Sequence, residues 1–298
     1  MSATVPIIDA RRVRRGFARA AAGYDAVAVL QREVATRMLE RLDYVKIQPG
    51  TVIDLGCGTG ASLVALGEHY PRARILGLDI SEAMLRVACR QRSHLRWMLP
   101  FLRGPKQASL LAADAQALPL KTGMAGFVWS NLMLHWLSNP LAGLREIHRT
   151  LEVGGLLIFS AFGPDTLKEL RASFSDGYEH TLSFVDMHDY GDMLVECGFS
   201  DPVMDAERLT LTYPSLDTLF GELRQSGSTC ATAGSRRGLM GRQAWQAVRE
   251  AYEKQRVEER LPATFEVVYG HAWKAEPRKI TDGRAVIRFD RKPGSGSA

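Results

Sequence analysis

Residues 52–60 read VIDLGCGTG, an apolar run that ends in Asp54, Gly56, Gly58 and Gly60. No other stretch narrows the possible folds as far. Val52, Ile53 and Leu55 suit a buried strand, and glycines at alternate positions let the backbone turn sharply and approach a ligand that a Cβ would push away. A strand that breaks into such a turn and then a helix describes a nucleotide-cofactor site of an α/β protein. A dinucleotide wants G-x-G-x-x-G with its pyrophosphate at the helix N-terminus. Here the spacing is D-x-G-x-G-x-G. A carboxylate inside the strand end would repel a pyrophosphate and suit a cationic amino-acid group.

The sequence that follows repeats the theme. Hydrophobic patterning predicts strands over Thr51–Leu55, Arg74–Leu78, Ala108–Ala112, Gly126–Ser130 and Gly155–Ala161. Helices are predicted over Ala61–His69, Glu82–Gln91 and Pro140–Leu151, with Ser81 as an N-cap, Pro140 in a first turn and EVGG at 152–155 as a turn. Such alternation predicts a mostly parallel sheet with helices on both faces. Ahead of it, 11–41 has helical periodicity broken by Gly16 and Gly23 and reads as one or two helices. Beyond Ala161 we expect a helix over FGPDTLKELRASF, another over Asp186–Cys197 closed by Gly198, and a half-exposed strand at 207–213. Helical and loop sequence follows over 215–260, then a last apolar strand, TFEVVYGHAW. The expected organisation is an N-terminal helical arm over 1–45 and an α/β domain over 46–298. That domain carries a lid insertion at about 214–260 and a disordered, low-complexity tail at about 291–298.

Asp79 ends the second apolar segment twenty-five positions after Asp54, near the offset at which a ribose-binding acid follows a first strand. A third acid, Asp114, follows the run ASLLA. Any one of these aspartates alone reads equally well as a helix cap or turn former. Three acids at successive strand ends point instead to a bound cofactor. The D-x-G-x-G-x-G pattern resembles motif I of class I S-adenosylmethionine-dependent methyltransferases. That resemblance implies a Rossmann-like fold, with Asp79 accepting from the ribose and Asp114 capping the adenine edge. The expected cofactor set is Asp54, Gly56, Cys57, Gly58, Gly60, Asp79, Ile80, Asp114, Ala115 and Asn131.

Composition bounds the rest. The chain has 298 residues, 46% hydrophobic and 24% charged, enough for one large α/β domain with insertions. No run approaches about 18 uninterrupted apolar residues, so no membrane span is indicated, and no secretory core is present at the N-terminus. RRVRRGFARAAAGY has the basic, acid-poor composition of an organellar transit peptide, although the resemblance below assigns it to the mature fold. Cys57, Cys89, Cys197 and Cys230 are scattered, with no disulfide framework and no metal-ligand spacing. A reducing compartment fits, and the expectation is a cytoplasmic protein without a metal. Net charge +5 suits nucleic acid, an acidic carrier protein or a plain solvated surface.

Methyl transfer from a sulfonium to an anion is an in-line displacement in which alignment and desolvation contribute most. A carboxylate acceptor is already ionised at neutral pH and needs no general base. The acceptor side is expected in WSNLMLHW at 129–136 together with FARAAAGYD of the arm. Trp129, His135 and Trp136 are candidates to wall the pocket, with Trp129 reading more readily as core and His135 equally as a structural histidine. Phe17 and Tyr24 are candidates to close over the cofactor, Tyr24 through its hydroxyl. Arg236 and Arg237, in a glycine-rich stretch, are candidates to clamp an anion.

R-x-x-F-x-R-A-A-x-x-Y-D at 14–25, DLGCGTG at 54–60, WSNLMLHW, LRQSGSTCATAGSRRGLMGR and LPATFEVVYGHAWK together resemble the malonyl-acyl-carrier-protein O-methyltransferases of the biotin pathway. The similarity spans nearly the whole chain. It implies a seven-stranded, mostly parallel sheet and methylation of the free carboxyl of a malonyl thioester, on acyl carrier protein or coenzyme A, with no nucleic acid or membrane partner. The acceptor carboxylate would be positioned by one of Tyr24, His135, Arg236 or Arg237. LHWLSNPLAGLREIH, FGPDTLKELR and the CATAG stretch also resemble a mitochondrial complex I assembly factor that hydroxylates an arginine. A small-acid methyltransferase, an arginine-modifying enzyme and a non-catalytic cofactor-binding assembly factor are the alternatives.

Overall fold

The computed structural model describes residues 8–98, 108–232, 234–235, 238 and 240–276, with only the backbone of 92–98. The tail expected at 291–298 lies outside the described residues. Three helices come first: α1 (Ala10–Ala20), α2 (Tyr24–Val27) and α3 (Val29–Leu42). Then β1 (Thr51–Leu55), α4 (Ala61–His69), β2 (Arg74–Asp79), α5 (Glu82–Met98), β3 (Ser109–Ala112) and β4 (Ala125–Ser130) alternate. A short 3-10 turn, Leu134–Trp136, precedes α6 (Pro140–Thr150) and β5 (Leu151–Phe162). The last third holds α7 (Lys168–Ala172), α8 (Met187–Glu196), β6 (Phe199–Tyr213), α9 (Leu216–Gln225), α10 (Arg242–Glu253) and β7 (Leu261–Lys274).

The seven strands lie in the order β3-β2-β1-β4-β5-β7-β6. The first five run parallel, and β7 is antiparallel to both its neighbours. Strand order reverses between β1 and β4, so the connections leave their carboxyl ends in opposite directions and a crevice opens there.

Strand alternation sorts the side chains into two cores. Val52, Phe127, Trp129, Leu156 and Ile158 face one side, where Leu30, Val34, Met38 and Leu42 of α3 cover them. Those four recur every fourth residue, which places them on one helix face, and burying each contributes about 1.5–3 kcal/mol. Ile53, Leu55, Val128, Leu157 and Phe159 face the other side, under Leu144 and Ile147 of α6 and Tyr190 and Leu194 of α8. Trp129, offered by the sequence as a pocket wall, is fully buried in the first core and lines neither of the cavities described below.

Several elements differ from the sequence expectation for identifiable reasons. The 152–155 turn is a kinked start of β5: pairing shifts from Ala125↔Leu151 to Phe127↔Leu156, and Gly154 absorbs the kink at φ +79. Of FGPDTLKELRASF only Lys168–Ala172 is helical, because the preceding turn bonds to β7 instead. Leu167 N–H donates to the Thr264 carbonyl and Thr166 Oγ1 to that of Glu266. Strand β6 begins eight residues before the expected 207, with Pro202 at an irregularity between Ser200 and Val203. A proline there is tolerated because β6 is a sheet edge.

Candidate active site

The turn after β1 is built by its neighbour. Gly56 N–H and Cys57 N–H both donate to the Leu78 carbonyl, 2.8 and 2.9 Å away, and Gly58 N–H donates to Asp79 Oδ2 at 2.9 Å. Asp79 Oδ1 also accepts from Ser81 N–H at 2.7 Å. Gly58 has φ +52, and a Cβ there would meet nothing within 4 Å, so the bare backbone borders open space. Gly56, at φ +81, could not carry a Cβ, which would lie 2.4 Å from Met133 Cγ. Met133, absent from the sequence expectation, thus packs the far side of the turn.

A cavity of about 340 Å³ lies over this turn, in the size range of small-molecule sites. All ten residues expected to bind cofactor, except Gly60, line it. Gly60 supports from behind: it forms the left-handed entry to α4 at φ +84 and packs against Ala88 and Leu63. Asp54 is 2% exposed, and its Oδ2 has no hydrogen-bond partner. Burial, and secondarily the Asp79 charge, push its carboxyl up to about 8. Burial also raises Asp79, while the N–H groups of Ser81 and Gly58 hold it down. An orphaned buried carboxylate beside a glycine cradle fits a ligand with a cationic amino-acid end and a hydroxyl-bearing sugar.

Asp114 forms a local turn, Oδ1 accepting from the Gln116 backbone and side-chain amides at 2.9 and 3.3 Å, beside Ala115. Asn131 lies at the cavity wall, but its amide is engaged at both ends: Nδ2 donates to the Gln31 carbonyl and Oδ1 accepts from Ser160 Oγ, each at 2.9 Å. Its structural task is to tie α3 to β5. The next residue, Leu132, is left-handed at φ 50 and is held by Ser160 through both its carbonyl and hydroxyl.

The arm closes one side. Tyr24 lines the cavity, and burial, with the charges of Asp79 and Asp25, raises its hydroxyl pKa, so it stays a neutral donor. Asp25 was not singled out in the sequence: its Oδ1 accepts from Thr59 Oγ1 at 2.6 Å and its Oδ2 from the Gln91 amide. The Tyr-Asp pair at the end of the arm motif and the threonine of GCGTG were visible, but no local pattern links positions thirty-four residues apart.

A second cavity of about 170 Å³ adjoins the first, sharing Gln31, Trp136, Phe162 and Ser228. Leu182, Phe184, Leu223 and Phe265 make it largely apolar, and Thr181 contributes a buried hydroxyl without a partner. His135 sits where the cavities meet, its ring 4.7 Å from Phe162 and 5.6 Å from Phe184. Phe162 N–H donates to His135 Nδ1 at 3.2 Å, which assigns the ring proton to Nε2, a buried donor without a partner. Desolvation drives its pKa down to about 3. Trp136 continues the wall and stacks edge-on against Phe17 at 5.2 Å. Arg236 and Arg237 lie outside the described residues.

A methyltransferase-domain family model matches residues 53–159, from β1 to β5. A malonyl-[acyl-carrier protein] O-methyltransferase of Laribacter hongkongensis is 50% identical over 287 residues, covering 94% of this chain and 96% of that protein. One from Gallionella capsiferriformans is 49% identical over 284 residues, with 95% and 97% covered. The chain belongs to the malonyl-[acyl-carrier protein] O-methyltransferase family. It is a methyltransferase, and S-adenosylmethionine is its cofactor. The YcgJ protein of Bacillus subtilis, 14% identical, matches in fold with a TM-score of 0.55 over 83% of this chain and all of its own. Among the described residues no helix is long and apolar enough to cross a membrane.

Proposed function

We propose that this protein transfers the methyl group of S-adenosylmethionine to the free carboxylate of a malonyl thioester on acyl carrier protein. The product is the malonyl methyl ester that primes pimeloyl synthesis in biotin formation. The reading rests on the protonation chemistry at the junction of the two cavities. His135, with a pKa near 3, is too weak a base to take a proton from an amine or alcohol at neutral pH, and Tyr24 is a neutral donor. An acceptor that must be deprotonated finds no help there. One that arrives ionised needs none.

When bound, the cofactor supplies an activated methyl on a sulfonium. Asp54 and the backbone of Gly56, Cys57 and Gly58 would hold its amino-acid end, with Gly60 setting the turn from behind. Asp79 with Ile80 takes the ribose, and Asp114 with Ala115 the adenine edge. Tyr24 and the Nε2–H of His135 orient the acceptor, Trp136 excludes water, and Arg236 and Arg237 clamp the anionic arm. In this reading residues 1–45 close over the cofactor, 46–298 form the methyltransferase domain, and 214–260 cover the acceptor. The setting is the cytoplasm, with neither membrane nor nucleic acid as partner, and malonyl-coenzyme A is the competing acceptor.

Purified protein with radiolabelled cofactor is expected to esterify malonyl carrier protein and to leave acetyl carrier protein, which lacks the free acid, unlabelled. Equal labelling of both would exclude the reading.

A further inference from the structure

The outer face of α1 carries a charge arrangement that the cofactor site does not use. Arg11, Arg15 and Arg19 are spaced four residues apart, which aligns them along one side of the helix over about 12 Å, and Arg14 flanks the row. All four are exposed. None has an ion-pair partner among the described residues, and α1 contains no acidic residue. The contrast with other arginines is sharp: Arg37, Arg41, Arg86, Arg145, Arg149, Arg208, Arg249 and Arg256 each face a carboxylate within 3.0 Å or closer. Like charges four apart on a helix repel, so the row costs stability until something anionic lies along it.

The opposite face of the same helix leads to the acceptor cavity. Val13 and Phe17 line the cofactor cavity, and Phe17 stacks on Trp136, which lines both. Gly16 lies against Gly227, where a Cβ would come 3.3 Å from the carbonyl oxygen. Arg12 turns away from the row and donates to the Cys230 carbonyl at 3.2 Å, the Thr232 carbonyl at 3.3 Å and Ser235 Oγ at 2.7 Å. Ser228, Thr229 and Cys230 line the second cavity, so α1 forms part of its rim. Arg224, exposed and lining that cavity, adds on α9, which packs against α1, a further cation without an ion pair among the described residues.

We propose that the Arg11, Arg15 and Arg19 row, with Arg14 beside it, is the docking surface for an acidic helix of the protein that carries the acyl thioester. Carboxylates at helical spacing on the partner neutralise the row. Docking there sets the partner beside the cavity rim, so that its thioester arm reaches the acceptor chamber. This rests on the malonyl-thioester reading above and names the surface that selects a protein carrier over a small thioester.

The test compares wild type with an Arg11→Glu, Arg15→Glu, Arg19→Glu variant. Malonyl carrier protein and a malonyl thioester of N-acetylcysteamine, which has neither protein nor phosphate, serve as acceptors. The expected result is a KM for malonyl carrier protein raised at least about tenfold, with kcat, cofactor affinity and the rate on the small thioester unchanged. Replacing the same three by lysine should restore most of the loss. Raising ionic strength from roughly 0.05 to 0.3 M should weaken the carrier in wild type far more than in the variant. An unchanged carrier KM, or equal losses on both acceptors, would overturn the surface. Direct binding of carrier protein to both proteins decides the docking surface even if neither acceptor is methylated, an outcome that would count against the function reading alone. Should the triple variant not fold, Arg15→Glu alone together with the wild-type salt dependence carries the same decision.

Discussion

The two cavities that meet at His135 are made in opposite ways. The cofactor side is floored by backbone and carboxylate: Asp79 is held by two N–H groups, the glycine turn hangs from the Leu78 carbonyl, and this floor comes from strand ends and the turns beside them, with the helical arm closing one side. The acceptor side is side chains from four distant segments, 27–31, 136–184, 220–230 and Phe265, and two buried donors, Thr181 Oγ1 on its wall and His135 Nε2 at the junction, have no partner of their own. A site whose groups are already hydrogen-bonded is pre-organised. One whose buried donors wait for a partner is finished by its substrate. The difference predicts where substitutions act on structure and where they act on selectivity.

The largest effect is expected on the pre-organised side. Asp79→Ala removes the proposed ribose acceptor and leaves two backbone N–H groups without their carboxylate, so cofactor affinity should fall about a hundredfold, or ~3 kcal/mol, by calorimetry. A loss of less than about threefold would break the contrast, since the pre-organised acid would then be dispensable.

Next comes pH. Asp54, pushed up to about 8, is protonated in the ligand-free protein below that pH, whereas a cationic amino group beside it requires the carboxylate. Cofactor affinity should therefore rise by up to about tenfold per pH unit between roughly pH 6 and 8 and level off above. Asp54→Asn should flatten the profile. In the unfolded chain the same carboxyl is ionised across that window, so ligand-free stability should fall as pH rises through it, which thermal unfolding reads directly.

On the acceptor side, Phe184→Ala should raise the acceptor KM about tenfold while cofactor affinity moves less than about twofold, because Phe184 lines only the second cavity. Steady-state kinetics alongside cofactor titration separates the two, and a parallel loss of both would merge the cavities into one functional unit. The smallest effect belongs to Thr181→Val. Its hydroxyl is buried without a partner, so ligand-free stability should hold or rise by up to about 1 kcal/mol, while acceptor KM rises about threefold if the hydroxyl completes its bond on the substrate.

The same division marks what could be read from the chain. DLGCGTG, Asp79 and Asp114 were legible because strand periodicity, left-handed glycines and strand-end acids are local signals. So was the alternation from β1 to β5, which needs only hydrophobic spacing. The early half of β6 was not, since Pro202 argues against a strand and only an edge position with a pairing irregularity accommodates it. FGPDTL was read as helix because nothing in it announces that Leu167 and Thr166 bond to a strand a hundred residues on. Asn131 lines the cavity as expected, but that its amide also ties Gln31 to Ser160 is a long-range contact no local pattern announces. Asp25 and Thr59 went unpaired for the same reason.

The amino-acid order by itself determined the sheet class, the glycine turn after β1 and the strand-end acids that line the cavity over it, because each depends on dihedral preferences and spacings a few residues long. Packing decided the rest: that burial raises the Asp54 carboxyl and keeps the His135 ring neutral, that Trp129 is core while Trp136 is wall, and that the second cavity exists. Desolvation and enclosure are set by what lies a few ångströms away in space, and only the folded chain brings those neighbours together.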